Sequence, residues 1–173
     1  MEVTNPKYEH QGIHVIASIF TVDKGDLKVL LVKRKNEPFK NSWALTGGAL
    51  YNDEDLEAGL SREIYEKTGL KNIEVKFSKV FGKKDRSPVM RMIAITYIGM
   101  IDASKVEIAK DTLKTSNAEW FKIDEVPQLA YDHNEIITDA IKTLKEEILK
   151  TDLLKGFFPD GFTPVSYTHL RAH

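Results

Sequence analysis

The chain of 173 residues contains no cysteine, which removes disulfide frameworks, thiolate metal sites and cysteine nucleophiles together. That absence fits a reducing compartment, and the cytoplasm is the location the composition predicts. Charge of one sign is also lacking: 25 Lys and Arg stand against 26 Asp and Glu, a net charge of −1, so the chain as a whole carries no electrostatic signature of nucleic-acid binding. There is no long hydrophobic run. The longest, Met92 to Ile101, is interrupted by Thr96, Tyr97 and Gly99 and falls far short of the ~20 residues a membrane span needs. The opening residues, Met1-Glu2-Val3-Thr4-Asn5-Pro6, have neither the basic nor the apolar region of a secretion signal. No internal repeat or low-complexity tract is present. What remains is 42% hydrophobic and 29% charged residues at a length near that of one domain, a globular composition able to bury a core.

Hydrophobic patterning predicts a mixed architecture. Ile13 to Val22 and Leu27 to Val32 are rich in Ile and Val, and Asp23-Lys24-Gly25-Asp26 between them supplies turn chemistry, which makes a β-hairpin. Trp43-Ala44-Leu45 runs into Gly47-Gly48, after which Leu56, Leu60 and Ile64 recur every fourth residue behind Asn52 or Asp53 as cap: a strand, a glycine turn and an amphipathic helix ending at Gly69. Further strands are predicted at Ile73 to Phe81, Val89 to Ile101 and Ala118 to Ile123. A last helix starts on a capping-box pattern, Asp132 with Glu135, and places Ile136, Ile137, Ala140, Ile141, Leu144 and Ile148 on one face. Strands and helices mix without strict alternation, which predicts an α+β or layered α/β/α sheet domain rather than a Rossmann fold or a barrel.

Local charge departs from the bland average. Gly47 to Leu70 holds six acids and two bases, a net of −4, and Lys71 to Arg91 holds seven bases and two acids, a net of +5. Carboxylates hold hard divalent cations through oxygen and bases hold phosphate, so this contrast marks the stretch expected to receive a ligand.

Gly48, Glu54, Arg62-Glu63, Ile64, Glu66, Gly69 and Leu70 fall at the intervals of the Nudix box, GX5EX7REUXEEXGU, over 23 residues, with one fixed position different. The chain therefore resembles the Nudix superfamily, and Trp43-Ala44-Leu45-Thr46-Gly47-Gly48 is similar to that family's entry into the box, with Thr46 in place of proline. Helical spacing puts Glu63 and Glu66 on one face and lets Arg62 pair with Glu66 or reach Glu54. Gly47 and Gly48 permit a close backbone approach to a ligand. The resemblance implies an α/β/α sandwich with a mixed sheet that hydrolyses a nucleoside diphosphate linked to another moiety, X. It further implies Mg²⁺ or Mn²⁺ on Glu63, Glu66 and a carbonyl at Gly48, with Glu54 and Arg62 orienting the helix. The departure is Lys67, a cation where the family has a metal-binding glutamate. It exchanges −1 for +1 on the face that should hold the metal.

A second likeness narrows the ligand. Leu129 to Ile137, with Asp85-Arg86-Ser87-Pro88 and Arg91, resembles NrtR-type Nudix-related transcriptional regulators and their relatives that handle ADP-ribose, in which the Nudix domain senses the ligand and a C-terminal winged helix binds DNA. Arg34, Arg86, Arg91 and His133 are thereby candidates for ligand contact, and Trp43, Phe81 and Tyr131 for stacking on adenine. Residues 1–151 are expected to form the Nudix domain. Residues 152–164 resemble the linker toward a winged helix absent from this sequence, through which alone DNA would be bound. Residues 165–173, VSYTHLRAH, resemble a translated sequencing-adapter tail. The two expectations for the whole are a Mg²⁺-dependent pyrophosphohydrolase of ADP-ribose-like substrates and a catalytically weak ADP-ribose sensor. A homodimer is compatible with either.

Overall fold

The computed structural model describes residues 5–150. The domain boundary at 151, the linker at 152–164 and the tail at 165–173 lie outside the described residues. The predicted hairpin forms from β1 (Gln11–Asp23) and β2 (Asp26–Arg34). Asp23 pairs with Asp26, and the two residues between them, Lys24 and Gly25, have φ of 52° and 85°, the doubly left-handed turn that matches strand twist. Two short strands follow, β3 (Trp43–Ala44) and β4 (Thr46–Ala49), and then helix α1 (Leu56–Thr68). The remaining elements are β5 (Val75–Phe81), β6 (Arg91–Met100), β7 (Thr115–Lys122) and α2 (His133–Lys150).

All seven strands join one mixed sheet. Its spine is β1, which runs parallel to β6 over ten residue pairs and antiparallel to β4 and then β2 along its other edge. β7 and β3 extend the sheet beyond β2, and β5 closes the other side against β6. Successive side chains point to opposite faces, so β1 feeds two cores. Val15, Ala17 and Ile19 pack with Leu60, Ile64 and Leu70 under α1, while Ile16 and Phe20 pack with Ile136, Ile137, Ala140, Ile141 and Leu144 of α2. The α/β/α layering and the α+β class expected from the sequence are therefore present.

Four expectations need correction. Gly47 and Gly48 do not form a turn but lie within β4, paired with Ile16 and Val15 of β1. The N-cap of α1 is Asp55, not Asn52 or Asp53. Glu54 accepts the Tyr51 N–H at 3.0 Å and also holds Arg62, and its own N–H bonds Tyr51 O at 3.3 Å, so Asn52 and Asp53 form a turn ahead of the helix. At α2 the Asp132 carboxylate makes no capping box, because Arg86 occupies both its oxygens at 2.9 and 2.7 Å, and Glu135 pairs with Lys83 instead. Finally, most of the basic stretch 71–91 does not face the acidic helix, although Lys71 lies 4.9 Å over the ring of Tyr65 on α1. Lys76, Lys79, Lys83 and Arg86 pair with Glu147, Asp139, Glu135 and Asp132 around α2, on the opposite face of the sheet from α1.

Candidate functional site

The site grows from the crossing of β4 and α1. Gly47 and Gly48 pair with Ile16 and Val15 of β1, and the buried Glu63 carboxylate of α1 lies against Gly48 where a side chain would otherwise stand. α1 ends on Gly69 at φ 74°, whose N–H bonds Tyr65 O at 2.8 Å.

Three acids and three bases interlock along this helix. Arg62 donates to both oxygens of Glu54, to Glu63 Oε1 at 2.6 Å, to Glu66 Oε2 at 3.3 Å and to Ala49 O at 3.0 Å, with its guanidinium 3.8 Å above the Tyr51 ring. Lys67 is buried. Its Nζ donates to Gly47 O and lies 3.2 Å from Glu63 Oε2. Lys114, from the loop before β7, pairs with Glu63 Oε1 at 3.1 Å and with Glu66 Oε2. Burial pushes the Glu63 carboxyl up, but Lys67, Arg62 and Lys114 outweigh it and hold Glu63 down at about 2.

The facing wall is aromatic, with Arg34 as its cation. Tyr131, held at φ 52°, has its ring 5.5 Å from His133, 5.6 Å from His14 and 4.7 Å from Phe39, and Arg34 sits 5.3 Å over it. Arg34 is itself fixed by donation to Pro38 O at 2.9 Å. His133 Nδ1 accepts the Leu45 N–H at 3.0 Å, which assigns the ring proton to Nε2, and Nε2 has no protein partner. Burial, with Arg86, Lys67 and Arg34 nearby, lowers His14 to about 4; burial first, then Arg86, also holds His133 well below the ordinary range.

Of the residues anticipated from sequence, Arg34, Gly47, Gly48, Glu63 and His133 line one cleft of about 320 Å³, together with Tyr131. Arg62 and Glu66 on α1 and Glu54 in the loop before it stand beside the cleft, joined through Arg62, which also bonds Glu63. Arg86 lies behind the cleft, buried on Asp132, and Arg91 is turned to Gly82 O at 2.7 Å. Trp43 and Phe81 pack against the α2 core, with Trp43 4.8 Å from Phe121, so of the three stacking candidates only Tyr131 reaches the cleft. Lys114, His14 and Tyr51 also line it without having been anticipated. His14 shares the face of Ile16 by strand alternation, a signal readable from sequence; Lys114 gives none.

The model of the NUDIX domain family matches residues 12–141. The chain belongs to the Nudix family. This Nudix domain is 34% identical over 130 residues to an ADP-ribose pyrophosphatase of Methanocaldococcus jannaschii, covering 75% of each chain. It is 29% identical over 150 residues to the ADPR responsive transcriptional repressor NtrR of Acinetobacter baylyi, covering 84% of this chain and 59% of that protein. Among solved structures, the NUDIX domain of Shewanella oneidensis NrtR complexed with ADP ribose superposes with a TM-score of 0.73 at 29% identity, covering 81% of this chain and 93% of that one.

Nudix hydrolases generally use divalent metal ions. The donor set of this Nudix domain does not fit one: both Glu63 oxygens already face ammonium groups, and Gly47 O is taken by Lys67. Among the described residues no cluster of three or more His, Asp or Glu is placed to hold a metal. None of its helices in the described residues is long and apolar enough to cross a membrane.

Proposed function

We propose that this domain binds a nucleoside diphosphate joined to a second moiety, of the ADP-ribose type, and holds it with little hydrolysis, as the ligand-reading part of an NrtR-like regulator. The state of Glu63 carries this reading. A carboxylate that is to ligate a metal or take a proton from water needs an open oxygen, and Glu63 is enclosed by Arg62, Lys67 and Lys114. The opposite wall supplies what a nucleotide needs: the Tyr131 ring for stacking, the His133 Nε2–H for a neutral acceptor, and Arg34 for phosphate charge. The repressor relative and the ADP-ribose complex support the same ligand. In this reading the protein is cytoplasmic, is compatible with a homodimer, and touches DNA only through a module outside this domain.

A hydrolytic reading rests on a different observation, the assembled Glu54–Arg62–Glu63–Glu66 array and the 34% identity to a pyrophosphatase. There Mg²⁺ or Mn²⁺ would belong with Glu63, Glu66 and the Gly48 backbone, with Glu54 and Arg62 orienting α1. Calorimetry with ADP-ribose, followed by chromatography of the same mixture in Mg²⁺ or Mn²⁺, separates the two. The sensor reading expects heat of binding and recovery of intact ligand. AMP release well above that of Glu63→Gln would establish the hydrolase, and no binding of any ADP-containing compound would overturn both.

A further inference from the structure

We infer that Lys67, seconded by Lys114, is a built-in cation that receives the ligand's diphosphate in place of a divalent metal, so that the domain binds its nucleotide without metal. The inference rests on the diphosphate ligand proposed above and names the groups that hold it.

The geometry leads there in three steps. A hard divalent ion at this crossing would gather oxygens from the glycine strand and from the α1 carboxylates. Lys67 Nζ already bonds the first at Gly47 O and pairs with the second at Glu63 Oε2, 3.2 Å away. Lys67 and Glu63 are four residues apart on one helix face, so the same spacing that would aim two carboxylates at a metal aims an ammonium at a carboxylate. Lys114 then covers what is left, reaching Glu63 Oε1 and Glu66 Oε2.

Next, the charge count closes without metal. Glu54, Glu63 and Glu66 are matched by Arg62, Lys67 and Lys114, and an incoming divalent ion would meet two ammonium groups at its own binding oxygens.

Third, the two lysines are not sealed off. Both line the cleft that Arg34 and Tyr131 enter from the other side, and the Lys114 side chain is about one-third exposed. An ammonium has three protons; Gly47 O and Glu63 Oε2 face two of those of Lys67, which leaves one for a ligand. A diphosphate between this pair and Arg34 would meet cationic donors on two walls; Lys67 and Lys114 already offset the carboxylates, as a metal ordinarily would, and Arg34 adds the net positive charge.

The test uses the full chain and two independent readouts. Electron paramagnetic resonance of Mn²⁺ without nucleotide should show the ion left free by the wild type and captured by Lys67→Glu. Calorimetry in EDTA should show inorganic pyrophosphate and ADP-ribose bound by the wild type with affinity unchanged in excess Mg²⁺. Lys67→Met should weaken both ligands by about ten- to a hundredfold, the loss of one charge-assisted bond. Since Lys67 is buried, Lys114→Gln provides a partly exposed second variant, with a smaller loss and an unchanged melting temperature. Mn²⁺ bound by the wild type at the α1 carboxylates, binding that EDTA abolishes, or full affinity in both lysine variants would overturn the inference. Pyrophosphate bound in EDTA with no binding of ADP-ribose would support the built-in cation and overturn the nucleotide reading. ADP-ribose bound only with Mg²⁺ would do the reverse.

Discussion

Two adjacent glycines meet different obstacles, and the difference predicts different phenotypes. A Cβ on Gly47 would run into the Val15 carbonyl and the Ile16 Cα, both backbone in the middle of β1, so Gly47→Ala forces strands apart. We expect it to cost about 1 to 3 kcal/mol, the usual penalty of overpacking, read as a lower urea midpoint. A Cβ on Gly48 meets the Glu63 carboxylate, the end of a side chain that can turn aside at the expense of its pairs with Arg62 and Lys114. Gly48→Ala should therefore melt near the wild type and lose about tenfold in ADP-ribose affinity by calorimetry. This layer was the most legible from sequence, because helix periodicity fixes which box residues share a face. Lys114 was not, since it reaches Glu63 across 51 residues of chain, from a loop whose path no local pattern records.

At the scale of elements, α2 is fastened to the sheet by bonds of unequal worth. Arg86 is buried and its guanidinium spans both oxygens of Asp132, at the residue before α2 begins. Asp132→Ala would leave that guanidinium uncompensated and should cost about 3 to 5 kcal/mol, measurable by chemical denaturation. Lys79→Ala, which breaks an exposed pair with Asp139, should leave the denaturation midpoint almost unchanged. The same contrast explains which parts of the fold could be read in advance. Most strand and helix identities followed from period, and the predicted strand spans differ from the observed ones only by a few terminal residues; β4 was missed, because its two glycines read as a turn while they pair with β1. The start of α2 was misread because Asp132 and Glu135 have capping spacing while their carboxylates answer to Arg86 and Lys83, partners supplied by the loop that follows β5. The +5 segment was misplaced for the same reason: sequence adjacency put it beside α1, and the sheet put it on α2.

For the whole molecule, the formal charge of −1 conceals two groups of ion pairs on opposite faces of the sheet, one joining α1 to Lys114 and one joining α2 to β5 and the loop after it. The cleft between them keeps two histidines neutral, and that sets how the protein answers acid. His14 titrates at about 4 in the folded chain against 6.5 when unfolded, because burial, then Arg86, Lys67 and Arg34, disfavour its cation. Between those values the unfolded chain binds more protons than the folded one, so stability is complete above about pH 6.5 and falls as pH drops toward 4. His14 alone contributes up to about 3 kcal/mol of this loss, and His133, shifted the same way, adds to it. Glu63 acts in a different window: held at about 2 against 4.5 when unfolded, it loses its stabilisation as pH falls from about 4.5 toward 2. Urea midpoints followed from neutral pH down to about pH 4.5 should therefore fall before the carboxylates titrate. His14→Gln should flatten that decline while leaving the steeper loss at lower pH in place. A variant with the wild-type slope would show that His14 is as easily protonated folded as unfolded, and that the cleft does not exclude charge from its aromatic wall.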